Sequence, residues 1–268
     1  MPSASPGRKI AQVKVLKKRV MLIFEGGEKL DVVPSVYADF YLYEGKTLSD
    51  KEYKDIQNSN DVGKFKDYAF GLLAVRSYST KQIIDRLYKK KANPAMISAI
   101  VEQLTATGLL NDDEYVADFL EYAKDRHYGQ RKIKEELFRD GISEKRISAL
   151  EFIDGEELDK AMELLPGFLK KYDRYSNRSR HQRIYDAYLN KGFTNAVINK
   201  VLNRVPDNDK SLEKEALARD YEKALRLYTR RFKGEKLRTH LVNNLAQKGY
   251  NYEDIKWILE EHNHGMDQ

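Results

Sequence analysis

Ile133-Lys-Glu-Glu-Leu137-Phe-Arg-Asp-Gly141-Ile142-Ser-Glu-Lys-Arg-Ile147-Ser-Ala-Leu150 reads as two short helices folded back on each other. Ile133 and Leu137, four residues apart, stack on one helix face. Gly141 supplies the left-handed backbone position that ends a helix. Ile142 then folds back on the last turn and Ser143 caps a second helix. Ile147 and Leu150 return to the same core.

Outward from Gly141 the pattern recurs. Markers at Lys91, Gly141, Gly192 and Gly249 stand 50, 51 and 57 residues apart. Six residues after each comes isoleucine (Ile97, Ile147, Ile198, Ile255), and nine after come Ile100, Leu150, Val201 and Ile258. Eight before are Ile83, Ile133, Ile184 and Leu241; four before are Leu87, Leu137, Tyr188 and Leu245. An apolar residue follows each marker (Ala92, Ile142, Phe193, Tyr250), then a cap or breaker (Pro94, Ser143, Thr194, Asn251). A longer amphipathic helix precedes each pair, at residues 65–75, 112–126, 156–171 and 212–232. This is an internal repeat of about 50 residues.

Each copy is expected to form three helices around a small core. One such unit is marginal alone, so neighbours should stack. The expected fold is mainly α: tandem three-helix repeats in an elongated, curved array, with a small N-terminal β-ribbon plus helix. The expected limits are 1–63 for the β-containing extension and 64–111, 112–154, 155–205 and 206–268 for repeats one to four.

The β signal is confined to residues 8–34. Ile10-Ala-Gln-Val-Lys-Val-Leu16 and Val20-Met-Leu-Ile-Phe24 are β-branched and apolar. Glu25-Gly-Gly-Glu28 turns the chain, and Leu30-Asp-Val-Val33 returns before Pro34. A ribbon of two or three strands is expected, resting on a helix near Ser35–Tyr43. Thr47-Leu-Ser-Asp-Lys-Glu52 looks like the capped start of a short helix reaching about Asn58.

Composition agrees with an extended helical protein. Of 268 residues 41% are apolar and 34% charged, enough for a core that is thinly spread. Cysteine is absent, which removes disulfide and thiolate chemistry and fits a reducing compartment. The most apolar run, Val20–Phe24, is far below the roughly 20 residues that span a bilayer. Met1-Pro-Ser-Ala-Ser-Pro-Gly7 reads as a flexible start, and a cytoplasmic location is expected.

The net charge of +6 is unevenly distributed: +2 over 1–65, +4 over 66–111, −4 over 112–154, +4 over 155–205 and 0 over 206–268. Alternation of this kind suits a partner with both acidic and basic surface. The plain alternative is ordinary solvated helix faces.

The first two repeats carry a family pattern. Leu72-Leu73-Ala-Val-Arg76, Tyr78-Ser79, Leu87, Leu104, Gly108-Leu-Leu-Asn-Asp112, Tyr115, Gly129-Gln-Arg-Lys-Ile133, Glu136-Leu137 and Gly141-Ile142 together resemble the signature of RecX proteins. Tyr188-Leu-Asn-Lys-Gly-Phe193 extends the resemblance into the third repeat. It is strong over residues 65–205 and weaker over 206–268. Lys91 stands where the family usually has glycine, so the first repeat is open to a different helix ending. The resemblance implies a non-enzymatic, monomeric regulator of the RecA recombinase. It would bind RecA and the RecA filament on single-stranded DNA, most often to inhibit, in recombination, DNA repair and the SOS response. Direct binding of single- or double-stranded DNA is a further expectation.

Candidate contact residues come from the sequence itself. Lys170-Lys-Tyr-Asp-Arg-Tyr-Ser-Asn-Arg-Ser-Arg-His-Gln-Arg183 is the densest basic stretch, with Lys170, Lys171, Arg174, Arg178, Arg180 and Arg183 around Tyr172 and Tyr175. The matching junction of repeat two carries Arg126, Arg131, Lys132 and Lys134, and that of repeat four Arg230, Arg231, Lys233, Lys236 and Arg238. Basic residues at one place in three successive repeats are expected to form a stripe for phosphate or carboxylate. Lys89-Lys-Lys91 lies at a helix end and reads as dipole compensation.

Other chemistries find little support. No Gly-rich loop carries the Lys-Ser/Thr of a phosphate-binding motif. Histidines 127, 181, 240, 262 and 264 show no paired ligand spacing, and His262 and His264 belong to an expected frayed tail. No cofactor or metal is expected. Asp112-Asp113-Glu114 reads as N-terminal dipole compensation and Trp257 as edge packing. The third helices, such as Ala95–Thr105 and Thr194–Arg204, offer few polar groups for reading base edges.

Overall fold

Alternating burial along β2 (Val20–Phe24) sets the N-terminal sheet: Val20, Leu22 and Phe24 are buried, Met21 and Ile23 half-buried. β2 pairs antiparallel with β1 (Arg8–Val15) on one side and β3 (Lys29–Val32) on the other. β4 (Thr47–Leu48) adds to the far edge of β1, giving the order β3-β2-β1-β4. The expected two- or three-stranded ribbon is therefore a four-stranded sheet. Its last strand is two residues long, too short to show a period of two in sequence. This computed structural model describes residues 7–262, with residue 154 described by its backbone alone. His264 and the opening Met1–Pro6 lie outside the described residues.

After α1 (Pro34–Asp39) comes α2 (Asp50–Leu73), a single helix of 24 residues. A capping box starts it: the Glu52 amide donates to Ser49 Oγ at 3.2 Å and the Ser49 amide to Glu52 Oε2 at 2.8 Å. The short helix expected to stop near Asn58 and the one expected from residue 65 are thus continuous. The expected division at 63/64 falls inside α2. Asn60 and Gly63, within this helix, serve the end of β3. Buried Asn60 accepts the Val33 amide at 2.9 Å and donates to the Asp31 carbonyl at 2.7 Å. At Gly63 a Cβ would stand 2.5 Å from Val33 Cγ2, so the helix and this segment meet only because no side chain intervenes.

Helices then follow in triplets. α2 is joined by α3 (Thr80–Lys89) and α4 (Pro94–Ala106). Next come α5 (Asp112–Asp125), α6 (Gln130–Arg139) and α7 (Glu144–Ser148). α8 (Asp154–Tyr172), α9 (Asn177–Lys191) and α10 (Asn195–Leu202) form the third set. α11 (Lys210–Tyr228), α12 (Gly234–Gln247) and α13 (Tyr252–Glu261) form the last. The periodic residues occupy the cores: Ile83, Leu87, Ile97 and Ile100 in one, Ile184, Tyr188, Ile198 and Val201 in another, Leu241, Leu245, Ile255 and Ile258 in a third. Gly141, Gly192 and Gly249 have φ of +87°, +85° and +91°. Lys91 adopts the same left-handed conformation at φ +67°, so its departure from glycine leaves the helix ending unchanged in form.

The chain divides into two compact units. One holds the residues up to Phe119 together with Asp140–Ile142; the other holds Leu120–Arg139 and everything from Ser143. A shared device recurs in both. The first amide of a middle helix donates to a carboxylate from the next triplet: Thr80 to Asp112 Oδ1 at 2.7 Å, Gln130 to Glu157 Oε1 at 2.9 Å, Asn177 to Glu213 Oε2 at 3.0 Å. Each acid satisfies an otherwise unpaired amide and faces the positive end of the helix dipole. Among the described residues no helix is long and apolar enough to cross a membrane.

Candidate cationic interface

Three corners in the second unit carry the basic residues singled out in sequence. At the first, α5 passes to α6 through Arg126–Gly129, and His127 takes φ +52° to make the turn. Lys132 Nζ lies 4.2 Å from the Tyr128 ring centroid, and the Arg126 guanidinium 5.4 Å from that of Tyr122. Arg131 donates to the Leu189 carbonyl and pairs with Glu135 at 2.9 Å. Lys134 Nζ sits 5.0 Å from the Phe152 ring. Lys191, at the far end of α9, donates to the Arg126 carbonyl at 2.7 Å. Burial lowers its pKa first, and the charges of Lys132 and Arg126 push the same way.

The second corner joins α8 to α9. Tyr175 is flanked by Arg183 at 3.9 Å and Arg174 at 5.2 Å from its ring. The hydrogen bond from Arg174 draws the Tyr175 phenol below its usual range, helped by the charge of Arg183. Lys171 lies 5.1 Å from the Tyr172 ring, and Lys170 is exposed beside it. Arg178 is exposed at its head, while its stem lies against Gly249.

Arg180 is a correction to the sequence reading. It is 5% exposed, and its guanidinium donates to the Pro206 carbonyl at 3.0 Å. On a helix, 178, 180 and 183 cannot all share one face. Arg180 holds the link between α10 and α11 rather than a partner.

The third corner, Thr229–Lys233, joins α11 to α12, with Arg230, Arg231 and Lys233 exposed. Phe232 and His240 stack at 3.9 Å behind them. Lys236 and Arg238 are exposed on α12.

The corners succeed one another at helix-length intervals. The Gly129 and Arg131 amides donate to the carbonyls of Lys191 and Gly192 at 2.8 and 3.0 Å, so the start of α6 meets the end of α9. Ser176 and Ser179 both donate to the Lys248 carbonyl at 2.5 Å, so the start of α9 meets the end of α12. With 15 residues in α9 and 14 in α12, the intervals are about 22 and 21 Å.

A further basic cleft lies in the first unit. Arg76 and Arg86 stand 3.9 and 4.8 Å from the ring of buried Tyr78, and both line a cavity of about 380 Å³ with Tyr68, Lys89 and Lys90. Sequence reading gave Lys89 and Lys90 only a dipole role. Arg76 and Arg86 are ten residues apart and flank Tyr78 only once α3 has turned back. Among the described residues no cluster of three or more His, Asp or Glu is arranged to hold a metal ion. Lys214 Nζ lies 4.5 Å from the ring of Trp257, which is 36% exposed.

No protein-family model matches the chain. Whole-length relatives do. The regulatory protein RecX of Bacillus subtilis is 30% identical over 260 residues, covering 94% of this chain and 97% of its own. That of Streptococcus gordonii is 27% identical over 263 residues, covering 95% and 99%. A crystal structure of regulatory protein RecX shares the fold, with a TM-score of 0.56 at 21% identity over 73% of this chain and 99% of that one. Similarity that runs from the sheet through the last helix triplet makes the chain a member of the RecX family of regulatory proteins.

Proposed function

We propose that this regulatory protein binds RecA and its filament on single-stranded DNA and restrains RecA activity in recombination, DNA repair and the SOS response. Full-length similarity to regulatory proteins RecX carries this reading. It acts as a cytoplasmic monomer and as a binder rather than a catalyst. The same reading takes the chain as a β-containing part, ending near residue 63, and four three-helix repeats that start near residues 64, 112, 155 and 206. The contacts fall on the exposed corner cations: Arg126, Arg131 and Lys134 at the first, Lys171, Arg174 and Arg183 at the second, Arg230, Arg231 and Lys233 at the third. Guanidinium groups beside tyrosine rings suit phosphate, nucleobase and carboxylate alike.

The test is RecA's DNA-dependent ATPase and strand exchange with substoichiometric protein added, before and after filament assembly. A fall in both is expected; no change in either overturns the reading. The arginine–tyrosine corners also favour a second reading, a helical DNA-binding protein or transcriptional regulator acting without RecA. That reading requires tight duplex retention in the absence of RecA, weakening steeply as salt rises.

A further inference from the structure

Glu157, on the first turn of α8, is 6% exposed. Its Oε1 accepts the Gln130 amide at 2.9 Å, whereas its Oε2 is buried with no hydrogen-bond partner among the described residues. Capping does not require this arrangement. The equivalent Glu213 turns both oxygens toward the Asn177 amide, at 3.2 and 3.0 Å. A buried acceptor left unpaired is costly, and here it lines a cleft of about 450 Å³ within the second unit.

Leu120, Ile133 and Phe152 give that cleft apolar walls. The exposed carboxylates of Glu151, Glu156, Asp159 and Glu163 line it too and, with Glu157, outnumber Lys124 and Lys160. The group that fits is one that donates hydrogen bonds, carries positive charge and ends an aliphatic stem. One buried oxygen beside apolar walls suits a single cation on a single stem. A free polyamine would bring its inner charges against those walls.

We propose that this cleft receives an arginine or lysine side chain of a partner protein. Its head group donates to Glu157 Oε2 and its methylenes lie on Leu120, Ile133 and Phe152. The site adjoins the first cationic corner, sharing His127 and the Phe152 ring with it, but is of opposite charge, and it stands whether or not the partner is RecA.

The experiment titrates the full chain with acetyl-Gly-Arg-Gly-amide, its neutral citrulline counterpart and spermidine. The backbone amide of Gln130, which shares the Glu157 carboxylate, is followed by NMR. A saturable shift is expected with the arginine peptide and a much weaker one with citrulline. Glu157→Gln keeps the acceptor for Gln130 but replaces the free oxygen by a donor, and should weaken the arginine peptide about tenfold. Should that variant fail to fold, the exposed pair Glu151→Gln and Glu163→Gln should weaken binding about threefold. No saturable shift at Gln130, equal affinity in the variants, or spermidine binding more tightly than the arginine peptide overturns the proposal.

Discussion

Gly129 and Gly192 meet backbone to backbone: a Cβ on Gly129 would stand 2.4 Å from the Gly192 carbonyl, beside the hydrogen bond from the Gly129 amide to the Lys191 carbonyl at 2.8 Å. Nothing there can give way as a flexible side chain would. Gly129→Ala should therefore lower stability by about 1–3 kcal/mol through overpacking. Urea denaturation of the full chain measures it; an unchanged midpoint would mean that α6 and α9 do not meet in this way.

Lys91 carries the opposite opportunity. It holds a left-handed conformation at φ +67° where the other three triplets place glycine. Lys91→Gly relieves a Cβ clash and gives up some unfolded-state restriction, for a net gain of about 0.5–1 kcal/mol. A raised unfolding midpoint is the expected result, and a lowered one would show that the lysine side chain is needed there.

Glu213 should leave a signature in pH. Burial raises its pKa above 4.5, outweighing the hydrogen bond from Asn177 that lowers it. A carboxyl raised on folding binds its proton more tightly in the native state. Its contribution is full below the unfolded pKa and is lost as pH rises through the folded value. The melting temperature of Glu213→Gln relative to the parent should therefore climb as pH rises from about 4.5. A difference independent of pH would show that the carboxyl is not desolvated.

Arg180 should behave oppositely to Arg174 and Arg183, which lie only six and three residues from it. Arg180→Ala removes the donor to the Pro206 carbonyl and the packing of its stem, costing about 1–3 kcal/mol in stability. Arg174→Glu with Arg183→Glu changes only exposed heads beside Tyr175 and should leave helicity intact. The double variant should weaken binding to filament or DNA, with a shallower salt dependence if phosphates are the target. Full inhibition of RecA by the double variant would move the contact away from this corner.

The basic corners were legible as clusters because charge density at helix junctions is local in sequence. Which cations face solvent was not. Arg180 sits within the densest basic stretch, yet the turn of α9 carries it beneath the α10–α11 link. Arg76 and Arg86 come together on Tyr78 only after the chain reverses. Asp112 reads in sequence as dipole compensation for its own helix, and nothing there marks Glu157 or Glu213, since the amides that all three cap belong to helices of the preceding triplet.

The sequence by itself determined the helix triplets. Spacing of four along a helix, a left-handed residue at its end and a cap on the next are all local instructions, enforced by backbone sterics and by burial of one face. Only the tertiary structure decided the rest: that Asn60 and Gly63 carry α2 unbroken past Val33, that Gly129 admits Gly192, and that Glu157 keeps one oxygen buried and unpaired. Those outcomes depend on how closely distant segments approach. Desolvation and steric contact act across space, and no periodicity along the chain encodes them.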